Sequence, residues 1–527
     1  MYKILVSDSL SEGGLNILNS EKDLEVDVKT KMPPEELKEI IKDYDALIVR
    51  SATQVTKEII DAGVKLKVIG RAGVGVDNID VEAASKKGII VMNAPSGNTI
   101  STAEHTMSMI MALSRSIPQA SASLKSKKWE KSKFTGVELY EKTLGIVGLG
   151  RIGSEVAKRA RAFNMRVVTY DPYLLPERAK ELDVELVGLD ALLTSADYIT
   201  VHAPLSEQTR HIIGREAFAQ MKKGVRVINC ARGGIIDEQA LLEALASGKV
   251  AGAALDVFEK EPPLDSPLLD VENVVVTPHL GAATQEAQIS VSIDIAREVA
   301  DVLLGRGIRN AVNVPSIEPQ VYEVLKPYVM LGEKLGMLHT QLAEGAISEV
   351  AIRYHGEIIE NDLSPVTIAI VKGILTPILQ RSVNYVNATM LARERGIKVV
   401  ESKYTQLENF ANLVAVEVRS GGKILEVWGT LFTKNDPRIV KLGKFYVEAT
   451  PSGYMLVIHN WDRPGIIGEV GTILGVNKIN IAAMTFGREK PGGDAITVLN
   501  IDSPLQASVL DEIKSSKNVK DARQVKL

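Results

Sequence analysis

Three short segments, each closing an apolar run, carry side chains able to move a proton or hold an anion. They are Arg232 in NCARGG, Glu261 in DVFEKEPP and His279 in VVVTPHLGAA. Taking a hydride from a secondary alcohol requires a base for the hydroxyl proton and a cation for the neighbouring oxygen or carboxylate. An imidazole suits the first role and a guanidinium the second, while a carboxylate near the imidazole favours the imidazolium that forms. Arg232 precedes two glycines, so a substrate has room to approach the backbone there. His279 lies between Pro278 and Gly281, in an irregular loop rather than on a helix face. His105 and His202 lack such company and read as a helical position and a strand end.

A second constellation points to a hydride acceptor. GLGRIG, residues 148–153, stands between the strand-like TLGIV and the helical SEVAKRARAF. Gly148 permits a tight turn, Gly150 lets the backbone approach a pyrophosphate, and Gly153 allows close helix–strand packing. The amides of the helix start face the phosphates, with Arg151 as an added charge. The next apolar run, RVVTY, ends in Asp171, eighteen residues after Gly153. A carboxylate there suits a ribose diol and repels a 2′-phosphate, so NAD is expected rather than NADP.

These side chains need strand ends to stand on. From Tyr2 to about residue 310, ten short apolar runs alternate with stretches of helical period: KILVSD, YDALIVR, LKVIGRAG, IIVMNAP, KTLGIVGLG, MRVVTYD, YITVHAP, VRVINCARG, AGAALDVF and VVVTPH. Strands that are apolar throughout belong to parallel sheets covered on both faces, so the expected class is α/β with two doubly wound, Rossmann-like lobes. Two long helical patterns, 99–120 and 283–305, stand at the seams. Ser101 and Glu104 fit a capping box for the first, and Pro118 helps to end it. Two such helices suit lobes connected twice, the second helix returning to the first lobe. After residue 318 strand-like runs mix with two helical stretches and no chemical motif. The segment from YMLVIHN onward has the order βαββαβ of a small ferredoxin-like unit. The expected division is 1–98 with 283–317, 99–282, 318–450 (an α+β intervening unit) and 451–527.

Composition narrows the setting. The chain has 527 residues, 62 basic and 66 acidic, for a net charge of −4. That balance lacks the basic excess a duplex nucleic-acid binder needs. A single cysteine, Cys230, excludes an intramolecular disulfide framework and any multi-cysteine metal site. MYKILVSDSL has no secretory pattern, and no run reaches the ~18–20 apolar residues that span a bilayer. A cytoplasmic enzyme without metal, membrane or nucleic-acid partner is expected.

In order and spacing, GLGRIG, NCARGGIIDEQALLEAL, ALDVFEKEPP and TPHLGAAT resemble the D-isomer-specific 2-hydroxyacid dehydrogenases. VRSATQV (49–55), GRAGVGVDNID (70–80) and the two added C-terminal segments are similar to the long members, which oxidise 3-phospho-D-glycerate. The resemblance implies that His279 is the general acid/base, Glu261 its partner, and Arg232 the group orienting substrate. It places Asp256 beside the nicotinamide, and Ile152, Ala203, Pro204, Cys230, Ala231, Gly281 and Ala282 along the cofactor. Arg50, Ser51, Gly73, Val74, Gly75 and Asn98 would line the substrate side, with Lys131 reaching a neighbouring subunit's site. YMLVIHNWDRPGIIGEVGTIL is similar to the start of an ACT domain. Paired ACT domains imply an L-serine effector facing Asn460, Asp462 and Asn480, and the family implies a homotetramer. Some relatives have His and Asn where this chain has Asn460 and Asp462. Two other readings share the motifs: a glyoxylate, hydroxypyruvate or other 2-hydroxyacid reductase, and an NAD(H)-sensing binding protein.

Overall fold

The computed structural model describes residues 1–315, 319–379, 383–406 and 410–527. All ten apolar runs form strands, and all ten lie in two parallel sheets. The first sheet has five strands in the spatial order Leu24–Val28, Tyr2–Val6, Ala46–Val49, Val68–Arg71, Ile90–Asn93. The second has seven, ordered Val274–Val276, Val250–Leu255, Val225–Asn229, Tyr198–Val201, Thr143–Val147, Arg166–Tyr170, Glu185–Leu186. Strand order reverses at Thr143–Val147, and the crevice beyond the carboxyl ends at such a reversal is where doubly wound sheets bind ligands. Two strands lie outside the ten runs. Leu24–Val28 is an edge strand with only Leu24 buried, and Glu185–Leu186 is two residues long.

The chain crosses between the lobes twice. Residues 94–98 lead into the helix Thr99–Arg115, whose Ala103, Met107 and Ile110 pack with Leu144, Ile146 and Ala254 of the seven-stranded sheet. Residues 277–284 lead back into the helix Gln285–Leu303. Its Val291, Ile295 and Val299 join Ile4, Ile48 and Val68 in the core of the first lobe. The first helix begins at Thr99 rather than at Ser101, so the expected capping box does not form. The Ser101 hydroxyl donates instead to the Gly281 carbonyl at 2.7 Å, tying one crossing to the other. Pro118 does not end this helix either. Ser116, with φ +49°, does, and Pro118 stands in the first turn of the next helix, Ile117–Lys125.

The returning helix carries a buried acid. Glu298 is 5% exposed; Asn310 donates to its Oε1 at 2.5 Å, while Oε2 has no partner among the described residues. Burial, chiefly, and repulsion from Asp294 push its pKa up to about 7 against the help of Asn310 and Arg309. The folded chain thus keeps a proton that the unfolded chain has lost, and stability falls as pH rises from 4.5 towards that value. Glu298→Gln is expected to raise the Tm at about pH 8, by the equivalent of roughly 2–3 kcal/mol, and to change little near pH 4.5. Thermal unfolding of both chains at the two pH values checks this.

Beyond the lobes, six strands pair in the order Lys398–Tyr404, Ile347–Gly356, Asn412–Ser420, Lys423–Leu431, Pro437–Leu442, Phe445–Ala449. Only the first pair is parallel. Among the described residues three α-helices accompany this sheet, Pro319–Leu342, Ser364–Leu375 and Ala388–Glu394, where the sequence suggested two. The boundary expected between 317 and 318 lies outside the described residues.

The C-terminal unit has the expected βαββαβ order and four antiparallel strands. One face of its sheet carries the helices Ile466–Val476 and Ala507–Lys514. The other places Met455, Val457, Ile496 and Val498 in one core with Leu331, Leu335 and Leu338 of the preceding unit. Met455–Ile458 are buried on both faces, which explains a run of four apolar residues instead of an alternation. Among the described residues no helix is long and apolar enough to cross a membrane, and no His, Cys, Asp or Glu group could hold a metal.

Candidate active site

The glycine-rich turn sits where the strand order reverses. Gly148 has φ +93°, and a Cβ there would lie 2.9 Å from the carbonyl of His202, just before Ala203 and Pro204. A Cβ on Gly153 would meet the Gly148 oxygen at 2.3 Å, so helix and strand touch through this residue. A Cβ on Gly150 would meet nothing within 4 Å. That open space, at the start of the helix Arg151–Ala162, fits a pyrophosphate on unpaired amides. Arg151 is exposed beside it and Ile152 partly buried. Asp171 Oδ2 accepts the Leu149 N–H at 2.9 Å, and Oδ1 accepts the Tyr173 N–H at 2.9 Å. The carboxylate is therefore held against the turn. Cys230 and Ala231 follow the strand Val225–Asn229. Burial, then the charge of Asp256, pushes the Cys230 thiol up to about 12, which rules it out as a nucleophile near neutral pH.

His279 and Glu261 meet. His279 Nδ1 lies 2.9 Å from Glu261 Oε2, and Glu261 Oε1 accepts the Phe258 N–H at 3.2 Å. Burial works to raise the Glu261 pKa, but the bonds from His279 and Phe258 prevail and hold it below the usual carboxylate range. An ionised Glu261 calls for a proton on Nδ1. That leaves Nε2, which has no hydrogen-bond partner among the described residues, as the lone-pair nitrogen. The His279 backbone is bent into the left-handed region, φ +57°, with its N–H 2.9 Å from the Asp256 carbonyl. Asp256 is 1% exposed. Its carboxylate accepts from the Thr277 hydroxyl (2.6 Å), the Leu280 N–H (2.7 Å) and the Gly281 N–H (2.8 Å). It clasps the loop that bears His279.

Arg232 spans the cleft between the lobes. Its Nε lies 3.2 Å from Asp77 Oδ2, and its Nη1 donates to the Ala231 carbonyl at 2.7 Å. A Cβ on Gly75 would fall 2.1 Å from Nη2, so only glycine lets the guanidinium rest on that loop. Arg71, at the end of its strand, donates from the other side to the Gly75 carbonyl. Burial, then repulsion from Arg232 and Arg50, lowers the Arg71 pKa, with Asp77 opposing. Two guanidiniums, those of Arg232 and Arg71, thus meet on Gly75 of the loop 73–77. The Arg71 Nε and the Asn98 Oδ1 are buried without partners among the described residues. Ser51 is exposed, and Val74 is partly buried. An arginine pair, an imidazole–carboxylate pair and a glycine turn thus all stand where strands of the two parallel sheets end.

Residues 107–281 match the model of the D-isomer specific 2-hydroxyacid dehydrogenase NAD binding domain, and residues 324–443 that of the D-3-phosphoglycerate dehydrogenase intervening domain. Over 528 residues, the full length of both proteins, the chain is 48% identical to D-3-phosphoglycerate dehydrogenase of Methanocaldococcus jannaschii. The chain belongs to the D-3-phosphoglycerate dehydrogenase family. It is also 46% identical to the Bacillus subtilis member, covering 100% of this chain and 99% of that one. A crystal structure of D-lactate dehydrogenase from Aquifex aeolicus, complexed with NAD and lactic acid, matches with a TM-score of 0.53 and 33% identity. That match spans 59% of this dehydrogenase and 100% of the shorter chain. The cofactor of the dehydrogenase is NAD.

Four other expected positions lie away from these residues, Lys131 in keeping with its expected reach to a neighbouring subunit. Lys131 is exposed on the short helix Lys131–Phe134, and Lys133 of that helix pairs with Glu272, before the strand Val274–Val276. This is the opposite end of the strand from His279, so Lys131 does not line its own chain's cleft. Asn460 is fully buried rather than facing a ligand. Its Oδ1 accepts the Thr497 hydroxyl at 3.0 Å and its Nδ2 donates to the Trp461 carbonyl at 3.0 Å. Asp462 Oδ2 takes the Gly492 N–H and Arg488, closing a hairpin. Asn480 bonds Asp502, next to Ile501, which pairs with Tyr454 at the far end of the strand from Asn460. Within one chain those two ends are about 20 Å apart.

Arg71, Asp77 and His105 touch Gly75, Arg232 and Asp256 in turn, though no motif marks them as candidates. Arg71 alone carried a signal, a cation ending an apolar strand inside GRAGVGVDNID. For the cofactor side, Asp171→Ala is expected to raise the KM for NAD roughly 10- to 100-fold, the worth of one or two charged hydrogen bonds, while narrowing the preference over NADP. Initial rates with each dinucleotide check this.

Proposed function

We propose that this dehydrogenase oxidises 3-phospho-D-glycerate to 3-phosphohydroxypyruvate with NAD, the first step of L-serine biosynthesis. The observation that carries the reading is the meeting of Arg232 and Arg71 on Gly75, with the charge of Arg50 near enough to help lower the Arg71 pKa, at strand ends of the two sheets like those that bear the His279–Glu261 pair. Arg232 takes the substrate carboxylate and C2 oxygen, while Arg50 and Arg71 take the phosphate, as guanidinium forks suit both anions. Nε2 of His279 accepts the C2 hydroxyl proton. Glu261, ionised and bonded to Nδ1, stabilises the imidazolium. NAD, when bound at the glycine turn, supplies the hydride acceptor.

In this reading residues 1–98 with 283–317 bind substrate and 99–282 bind cofactor, while 318–450 and 451–527 serve assembly and regulation. A cytoplasmic homotetramer regulated by L-serine completes it. Asp462 and Asn480 support a ligand shared between two copies, because one chain holds them at opposite ends of a sheet. NADH formation from 3-phospho-D-glycerate and NAD, measured with and without L-serine, is the test. Turnover that changes with serine is expected; absence of turnover overturns the catalytic assignment, and indifference to serine overturns the regulatory one.

A further inference from the structure

His105 lies on the helix that enters the second lobe, and its ring faces the loop that carries His279. Nε2 is 3.2 Å from Asp256 Oδ1 and 3.2 Å from Thr277 Oγ1. The proton placement follows from the neighbours. Thr277 has one hydroxyl proton, and its oxygen sits 2.6 Å from Asp256 Oδ1, so that proton goes to the carboxylate. Two acceptor oxygens then face His105 Nε2, which must carry a hydrogen and donate. The same helix holds the loop through two more bonds, from the Ser101 and Thr102 hydroxyls to the Gly281 carbonyl at 2.7 and 3.1 Å. Residues 101, 102 and 105 share one helix face, so three donors grip both ends of the segment 277–281.

The segment needs gripping. It is the second crossing between lobes, and it bends at His279 through a left-handed conformation, φ +57°, that non-glycine residues adopt uncommonly. Asp256 imposes it from below, through Thr277, Leu280 and Gly281. With 1% exposure and several donors on its carboxylate, Asp256 can hold that geometry only while its charge is satisfied. His105 supplies the one side-chain N–H in that set.

We infer that His105 is a positioning residue for the reaction, acting through Asp256 and Thr277 to fix the bend that aims His279 at the substrate. The inference rests on His279 being the acid/base group. A group with this role lowers turnover when lost, because misaligning the base costs rate, and leaves substrate and cofactor binding nearly unchanged.

The experiment compares His105→Ala, His105→Gln and His279→Ala in the full-length enzyme, with kcat, both KM values and Tm measured for each. His105→Ala is expected to lower kcat about tenfold or more with each KM within about threefold. His105→Gln, whose amide N–H donates from a similar reach, is expected to return kcat to within about threefold of the parent. If the alanine variant does not fold, His105→Leu, which fills the space and donates nothing, takes its place. A His105→Ala enzyme with parental kcat beside an inactive His279→Ala enzyme would overturn the inference and leave the function standing. Loss that glutamine fails to restore overturns it too. Full activity in His279→Ala would instead overturn the underlying mechanism.

Discussion

Replacing His279 by alanine is expected to cut kcat by a factor of about 10²–10⁴ with little change in the KM for NAD. The size follows from what is removed. Nε2 is the free imidazole nitrogen in the cleft, and Nδ1 is bound to a carboxylate at 2.9 Å. In oxidation the alcohol proton must leave as the hydride leaves, and without the imidazole only water remains to take it. Glu261 cannot substitute, since its oxygens point to Nδ1 and to the Phe258 N–H. The dinucleotide turn shares no hydrogen bond with the His279 ring, so cofactor affinity is expected to survive. Steady-state rates and dinucleotide titration of the variant separate the two effects.

Arg232 is expected to matter comparably but in a different parameter. Arg232→Ala should reduce kcat/KM for the hydroxy acid by roughly 10²–10³, with the rise in KM contributing a large part. The guanidinium is pre-set by Asp77, the Ala231 carbonyl and the Gly75 backbone, so little entropy is lost when a carboxylate arrives. Arg232→Lys keeps the charge and loses the planar fork, and should recover only a small part of the loss. Recovery to within about twofold would mean that charge alone, not bidentate geometry, does the work.

Much of this site is legible in one dimension because each lobe is a parallel sheet. Apolar runs mark its strands, polar residues cluster where those strands end, and ligands bind there. That logic reaches Arg232, Glu261, His279, Asp171 and the glycine turn. It fails where a residue's role depends on what lies opposite. Asp77 matters because Arg232 crosses from the other lobe, and His105 because the second crossing passes beside the first helix. Nothing within a few residues of either one says so. Asn460 fails for another reason: past the doubly buried run Met455–Ile458 the strand alternates, but exposed His459 and buried Asn460 are both polar and exposed Trp461 is apolar, so hydropathy does not show which amide points inward. The same double burial hides the core shared by the intervening and C-terminal units.

Arg232, Arg71 and Arg50 are expected to select a phosphorylated 2-hydroxy acid. The most direct measurement is the ratio of kcat/KM for 3-phospho-D-glycerate to that for D-glycerate, with NAD saturating. A ratio of about 10² or more is expected, the worth of one or two charged phosphate contacts made by Arg50 and Arg71. Equal efficiencies on the two substrates would contradict the account.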